Sequence, residues 1–150
     1  MTIFIGVDPG KSSPAHCMDI GGTITFRETP FDLERDCNAV FFVEGQFAPH
    51  ASGKLSLMTL AYHAGLVAGA YLIKGFQGYK LPPRTWRHQI LTGSAKLPKP
   101  IFHNRAKKYG YLPKEIAILG GDEIDAYLIC VAGQKMLAAG EKMEKIRWKK

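Results

Sequence analysis

The sequence predicts an α/β fold: a mixed central sheet, three antiparallel strands followed by parallel ones, flanked by helices. Three observations carry that expectation. Two β-rich runs flank a Gly21-Gly22 turn just after an apolar opening strand. The run Ala39-Val40-Phe41-Phe42-Val43 is apolar throughout and of strand length, the pattern of a strand buried on both faces. Two long downstream segments, 55–74 and 122–139, have helical character.

The elements follow in order. Residues 2–7 form the first strand, with Asp8 at its tip and Pro9-Gly10 ending it. Residues 15–20 and 23–28 are the second and third, joined by the Gly-Gly hairpin. The polar stretch 29–38 is a short connection with some helix, and the apolar run then ends on Glu44. Residues 48–54 are a loop. The helix over 55–74 is rich in small residues that permit close packing on a sheet, but its glycines lower its propensity, so packing must hold it. Gly75 is its stop, and Tyr79-Lys80-Leu81 is a further short strand ended by Pro82-Pro83. Short helices follow over 85–91 and 100–109, and 113–119 is ambiguous. The last strong helix runs from Asp122 to Ala139, with Gly140 as its stop.

Composition narrows the class. A chain of 150 residues fits one domain, 1–150, and buries a core without staples. No apolar run reaches the roughly 18 residues of a membrane span. The opening Met1-Thr2-Ile3-Phe4-Ile5 lacks the basic and long apolar segments of a secretory signal. The three cysteines, Cys17, Cys37 and Cys130, have no metal-binding or disulfide spacing, so a reducing, cytoplasmic setting is expected. The net charge of +7 points to a polyanionic partner. Much of it lies in 84–108, which holds Arg84, Arg87, Lys96, Lys99, Arg105, Lys107 and Lys108 and no acid.

Four acids share a placement. Asp8 and Glu44 each end an apolar strand, at the edge where open α/β sheets bind ligands. Asp122 and Asp125, three apart at a helix start, share one helical face. Taken singly, Asp8 is a turn aspartate and Asp122 a first-turn acid. Together, four carboxylates repel unless cations lie among them. Hard divalent ions suit oxygen ligands, so two Mg²⁺ ions, with Mn²⁺ as substitute, are the expected cofactors. Such a pair clamps the attacking and leaving oxygens of a phosphodiester.

Three segments resemble the motifs of RuvC-like Holliday junction resolvases, of the RNase H-like superfamily. Ile5-Gly6-Val7-Asp8-Pro9-Gly10 is similar to their opening motif, Val43-Glu44-Gly45-Gln46-Phe47 to their second, and Asp122-Glu123-Ile124-Asp125-Ala126 to their last. The resemblance spans almost the whole chain. It implies an RNase H-like fold, a homodimer, and a Mg²⁺-dependent endonuclease that nicks branched DNA at four-way junctions, with Asp8, Glu44, Asp122 and Asp125 as catalytic metal ligands. The chain departs from the pattern after Gly10, where Lys11-Ser12-Ser13-Pro14 lacks the usual glycine. Its connection before the second motif is short, as in a compact phage-type member, which leaves strict junction specificity open.

The seven basic residues of 84–108 are the expected phosphate partners, with Lys96 or Lys99 nearest the metals. Phe47 and His50 follow the strand that ends on Glu44 and face either the core or unstacked bases, whereas Trp86 is a core anchor. His88 and His103, as lone histidines, carry no assigned role, and Asp19, Glu28 and Glu123 are surface acids. Three other functions compete. A nuclease acting on RNA would use the same acids. An actin-like phosphotransferase shares an Asp-x-Gly opening but needs a second domain and phosphate loops. A silent nucleic-acid-binding module would have a broken acid set, and here all four positions are acidic.

Overall fold

The computed structural model describes residues 1–10, 13–45 and 54–147, with the side chains of 54–62 outside that description. Phe47 and His50 therefore lie outside the described residues, as does Gln46 of the second motif. Among the described residues six strands form one sheet: β1 (Ile3–Asp8), β2 (Ala15–Ile20), β3 (Thr23–Arg27), β4 (Ala39–Glu44), β5 (Gln77–Leu81) and β6 (Glu144–Lys145). Their order is β3-β2-β1-β4-β5-β6. The first three pair antiparallel, β1-β4 and β4-β5 pair parallel, and β6 returns antiparallel to β5. The expected mixed sheet is present.

Alternation along the strands sorts side chains to two faces. Ile5 and Val7 of β1 and Phe41 and Val43 of β4 join one cluster with Val67, Ala68 and Tyr71 of α1 (Lys54–Leu72). Phe42 and Val40 face the opposite way, into a larger cluster with α2 (Pro83–Ile90), α3 (Lys99–Lys108), α4 (Lys114–Ala117) and α5 (Gly121–Ala138). Every residue of β4 before Glu44 is buried, which explains its unbroken apolar run.

Two close approaches set α5 on the sheet. A Cβ on Gly6 would collide with the Ala126 carbonyl oxygen and come within 2.5 Å of the Cys130 nitrogen. A Cβ on Gly133 would strike the Phe42 ring. Backbone thus lies on backbone where β1 meets α5, and Cys17 and Cys130 pack together beside that junction.

Some local expectations differ from the structure. Residues 29–38 contain no helix, only bends and a turn. The stretch is anchored instead by Tyr71, whose Oη accepts the Phe31 N–H at 3.1 Å and lies 2.8 Å from His16 Nδ1. The ambiguous 113–119 holds the one-turn α4. Strand β6 has no counterpart in the sequence reading, because two exposed residues of opposite charge carry no strand pattern.

Candidate active site

The site begins with strand register. β1 and β4 run parallel with Val7 beside Val43, so Asp8 and Glu44 end adjacent strands on the same edge. The valines face α1, so the two acids face the α5 side. There α5 begins: Gly120 precedes it in extended conformation and Asp122 lies in its first turn. Asp125, one turn on, is buried at 3% exposure. A first-turn carboxylate is favoured by the helix dipole, and the close packing at Gly6 carries both aspartates to the sheet edge.

The fifth member comes from α3. Lys99 Nζ lies 2.9 Å from Asp122 Oδ1, 2.9 Å from Asp125 Oδ2 and 4.0 Å from Asp8 Oδ2. Pro98 before it is extended and Pro100 lies in the first turn, so α3 starts at this residue. One turn further, His103 Nε2 lies 2.7 Å from Asp125 Oδ1. From α2, the buried Trp86 donates its indole N–H to Glu44 Oε2 at 2.9 Å.

The electrostatics are those of a crowded anionic site. Asp8 is pushed up to about 8, first by burial, then by the charges of Glu44, Asp125 and Asp122, against which Lys99 acts. Lys99 does not restore Asp8 because it is 4.0 Å away and shared with two nearer acids. Burial opposes the Lys99 charge, but its hydrogen bond to Asp122 and its interactions with Asp125 and Asp8 together raise it above the usual lysine range. Asp8 also keeps its modest role: Oδ1 accepts the Gly10 N–H at 3.1 Å, an Asx turn that aims Oδ2 at the cluster.

All four sequence-predicted acids thus meet at one edge, with a lysine ammonium among three of them. This donor set fits a hard divalent ion: oxygen ligands only, an Asp8 carboxyl that burial and neighbouring acids hold protonated and that added positive charge would favour in its ionised form, and an ammonium already drawn in between. As placed around Lys99, no three His, Cys, Asp or Glu side chains among the described residues stand close enough to ligate one ion.

The basic segment divides. Arg84, Lys96, Arg105, Lys107 and Lys108 are exposed. Arg87 faces inward: it donates to the Leu97 carbonyl at 2.9 Å and its guanidinium lies over the Trp86 and Phe102 rings. Lys99 is held by acids. Beside Asp122 a groove of about 310 Å³ runs between Ser13–Ala15, Phe26–Glu28 and Gly120–Glu123, so Glu28 and Glu123 line a concavity next to the site. Asp19 instead serves the hairpin, accepting the Gly22 N–H at 2.8 Å and an amide N–H of Gln134 at 3.0 Å. Sequence pattern alone assigns His103 no role and Trp86 only a packing role. The i, i+4 spacing of Lys99 and His103 on one helix is the signal that points to His103.

No protein-family model and no curated protein matches the sequence. Solved structures do match its shape. Thermus thermophilus RuvC is similar over 96% of this chain and 99% of that one, with a TM-score of 0.61 at 16% identity. T. thermophilus RuvC in complex with a Holliday junction substrate is similar over the same shares, with a TM-score of 0.62 at 15% identity. With its mixed sheet between α1 on one face and α2 to α5 on the other, the chain has the RuvC-like form of the RNase H-like fold.

Proposed function

We propose that this chain is a divalent-metal-dependent endonuclease that nicks branched DNA and resolves four-way junctions. The observation that carries it is the convergence of Asp8, Glu44, Asp122 and Asp125 on one edge of a RuvC-like sheet, around Lys99. Those four acids would hold the Mg²⁺ or Mn²⁺ ions, Asp8 and Glu44 from the strand tips and the aspartates from α5. Bound there, two ions would activate water and stabilise the departing oxygen of a phosphodiester.

The chain's own residues supply the rest. Trp86 fixes one Glu44 oxygen, and the Asx turn fixes one oxygen of Asp8. Lys99, with a permanent positive charge at the acid edge, neutralises a phosphate oxygen once the acids are satisfied. The exposed Arg84, Lys96, Arg105, Lys107 and Lys108 take the flanking phosphates. Junction DNA is the favoured substrate because the fold is shared along its length with a protein solved on a Holliday junction. A two-fold symmetric four-way junction would suit a homodimer. Among the described residues no helix is long and apolar enough to cross a membrane. The three cysteines are free, in keeping with a reducing compartment such as the cytoplasm.

The test incubates the purified chain with a four-way junction, a fork, a linear duplex and an RNA of matched sequence, each with Mg²⁺ and with EDTA. Mg²⁺-dependent nicking of the branched DNAs, lost in Asp8→Asn and Glu44→Gln, is expected. Cleavage that survives those substitutions sinks the metal assignment, and cutting of RNA in place of junctions sinks the substrate.

A further inference from the structure

Helix α3 does more than present basic residues to solvent. Lys99 and His103 are one turn apart on the face turned toward α5, and both reach Asp125. They take different oxygens: His103 Nε2 meets Oδ1 at 2.7 Å and Lys99 Nζ meets Oδ2 at 2.9 Å. His103 and Asp125 are both buried, at 7% and 3% exposure, whereas Lys99 is half-exposed at the end of a flexible stem. A lysine ammonium in that position is displaceable and an imidazole packed in the protein is not. The carboxylate therefore has one oxygen tied to the protein interior and one turned to the acid cluster.

The packing around His103 keeps that orientation. Its neighbour Phe102 is fully buried against Trp86 in an edge-to-face arrangement, with ring centroids 5.6 Å apart. Trp86 in turn donates to Glu44. Glu44 and Asp125 thus each meet an aromatic side chain, Trp86 on α2 and His103 on α3, and the Phe102 ring packs against both. A carboxylate that ligates a cation only accepts hydrogen bonds, so an Asp125 in that role takes its bond from an N–H at His103 Nε2.

Resting on the reading of Asp125 as a metal ligand, we propose that His103 is a positioning residue: its Nε2–H holds Asp125 Oδ1 and thereby presents Oδ2 to the ion. Partners that orient a ligating carboxylate in this way are worth about 10- to 100-fold in metal affinity.

The test measures Mn²⁺ affinity by titration calorimetry on the purified chain without DNA, in the parent, His103→Leu, His103→Gln and Asp125→Asn. His103→Leu removes the donor at similar volume and is expected to weaken Mn²⁺ about tenfold or more. His103→Gln returns an N–H to the same reach and is expected to restore most of the loss, a rescue that a mere packing defect would not show. If His103→Leu binds Mn²⁺ as tightly as the parent while Asp125→Asn does not, the positioning role is overturned. If Asp125→Asn also binds unchanged, the metal reading itself fails. A second measurement needs no substitution: the ¹⁵N spectrum of the parent's histidines, with and without Mg²⁺, is expected to show the His103 proton on Nε2 in both. A proton on Nδ1 alone overturns the proposal.

Discussion

Asp8 and His16 are both buried, and burial moves them in opposite directions. Asp8 is pushed up to about 8 by burial and nearby acids, and His16 is pulled down to about 4 by burial. Folded Asp8 holds its proton where the unfolded chain has lost it, so its contribution is present at low pH and is lost as pH rises toward 8. Folded His16 lacks a proton that the unfolded chain takes up, so its contribution is present above pH 6.5 and is lost as pH falls toward 4. In EDTA the two should offset each other up to pH 6.5, above which the Asp8 loss remains, at no more than about 1.4 kcal/mol per pH unit. Thermal melts across pH should show a plateau and then a decline in the parent. Asp8→Asn should show a rise and then a plateau, and a parent curve that climbs from pH 6.5 to 8 contradicts the Asp8 assignment. Trp86 supplies a second prediction at this scale. Trp86→Phe keeps a buried ring and removes the N–H held by Glu44. Cleavage should drop about tenfold with the fold retained by circular dichroism. The four acids were legible because strand-tip and helix-start placements are written in local pattern. Their partners were harder to read, because each meets its acid across a long stretch of chain: 42 positions between Trp86 and Glu44, 23 between Lys99 and Asp122, and 22 between His103 and Asp125.

Among the elements, α5 depends on a missing side chain. Gly6→Ala inserts a methyl against the Ala126 carbonyl and the Cys130 backbone, neither of which can swing aside as a side-chain tip would. Overpacking of this kind costs about 1–3 kcal/mol, and here the displaced element carries Asp122 and Asp125. Chemical denaturation should show that loss, and cleavage should fall further than stability alone explains. Helix α3 separates its two faces, one toward the acids and one toward solvent. Replacing Arg105, Lys107 and Lys108 together by Ala should leave Mn²⁺ binding intact and flatten the salt dependence of junction binding, by up to about 0.9 in slope for each phosphate no longer neutralised. Arg87 does not belong to that set, because its guanidinium is bonded to Leu97 and stacked on two buried rings. Strands and long helices were legible from period and punctuation, and β2 runs over Ala15–Ile20 as read. The connection at 28–38 was not, since its order comes from a tyrosine on α1, 40 residues from Phe31.

For the molecule as a whole, the acid edge is a source of instability that a bound cation would relieve. Mg²⁺ at about 100 times its Kd should stabilise the fold by about 2.7 kcal/mol, read as a rise in melting temperature at matched ionic strength, and Asp8→Asn should blunt it. The overall architecture was legible except at one border. The sheet ends at β6, whose two residues, Glu144 and Lys145, are exposed and charged. They pair with Lys80 and Tyr79, and the Ile146 N–H reaches the Gly78 carbonyl at 2.9 Å. Without them β5 would offer a bare row of amides and carbonyls next to the most apolar strand of the protein, which invites another chain to dock edge to edge. This small charged strip acts as a selvedge that keeps the sheet from being extended by its neighbours. Were such a basic chain to gather on a polyanion, as the proposed function implies, crowding would otherwise turn that border into a seed for aggregates.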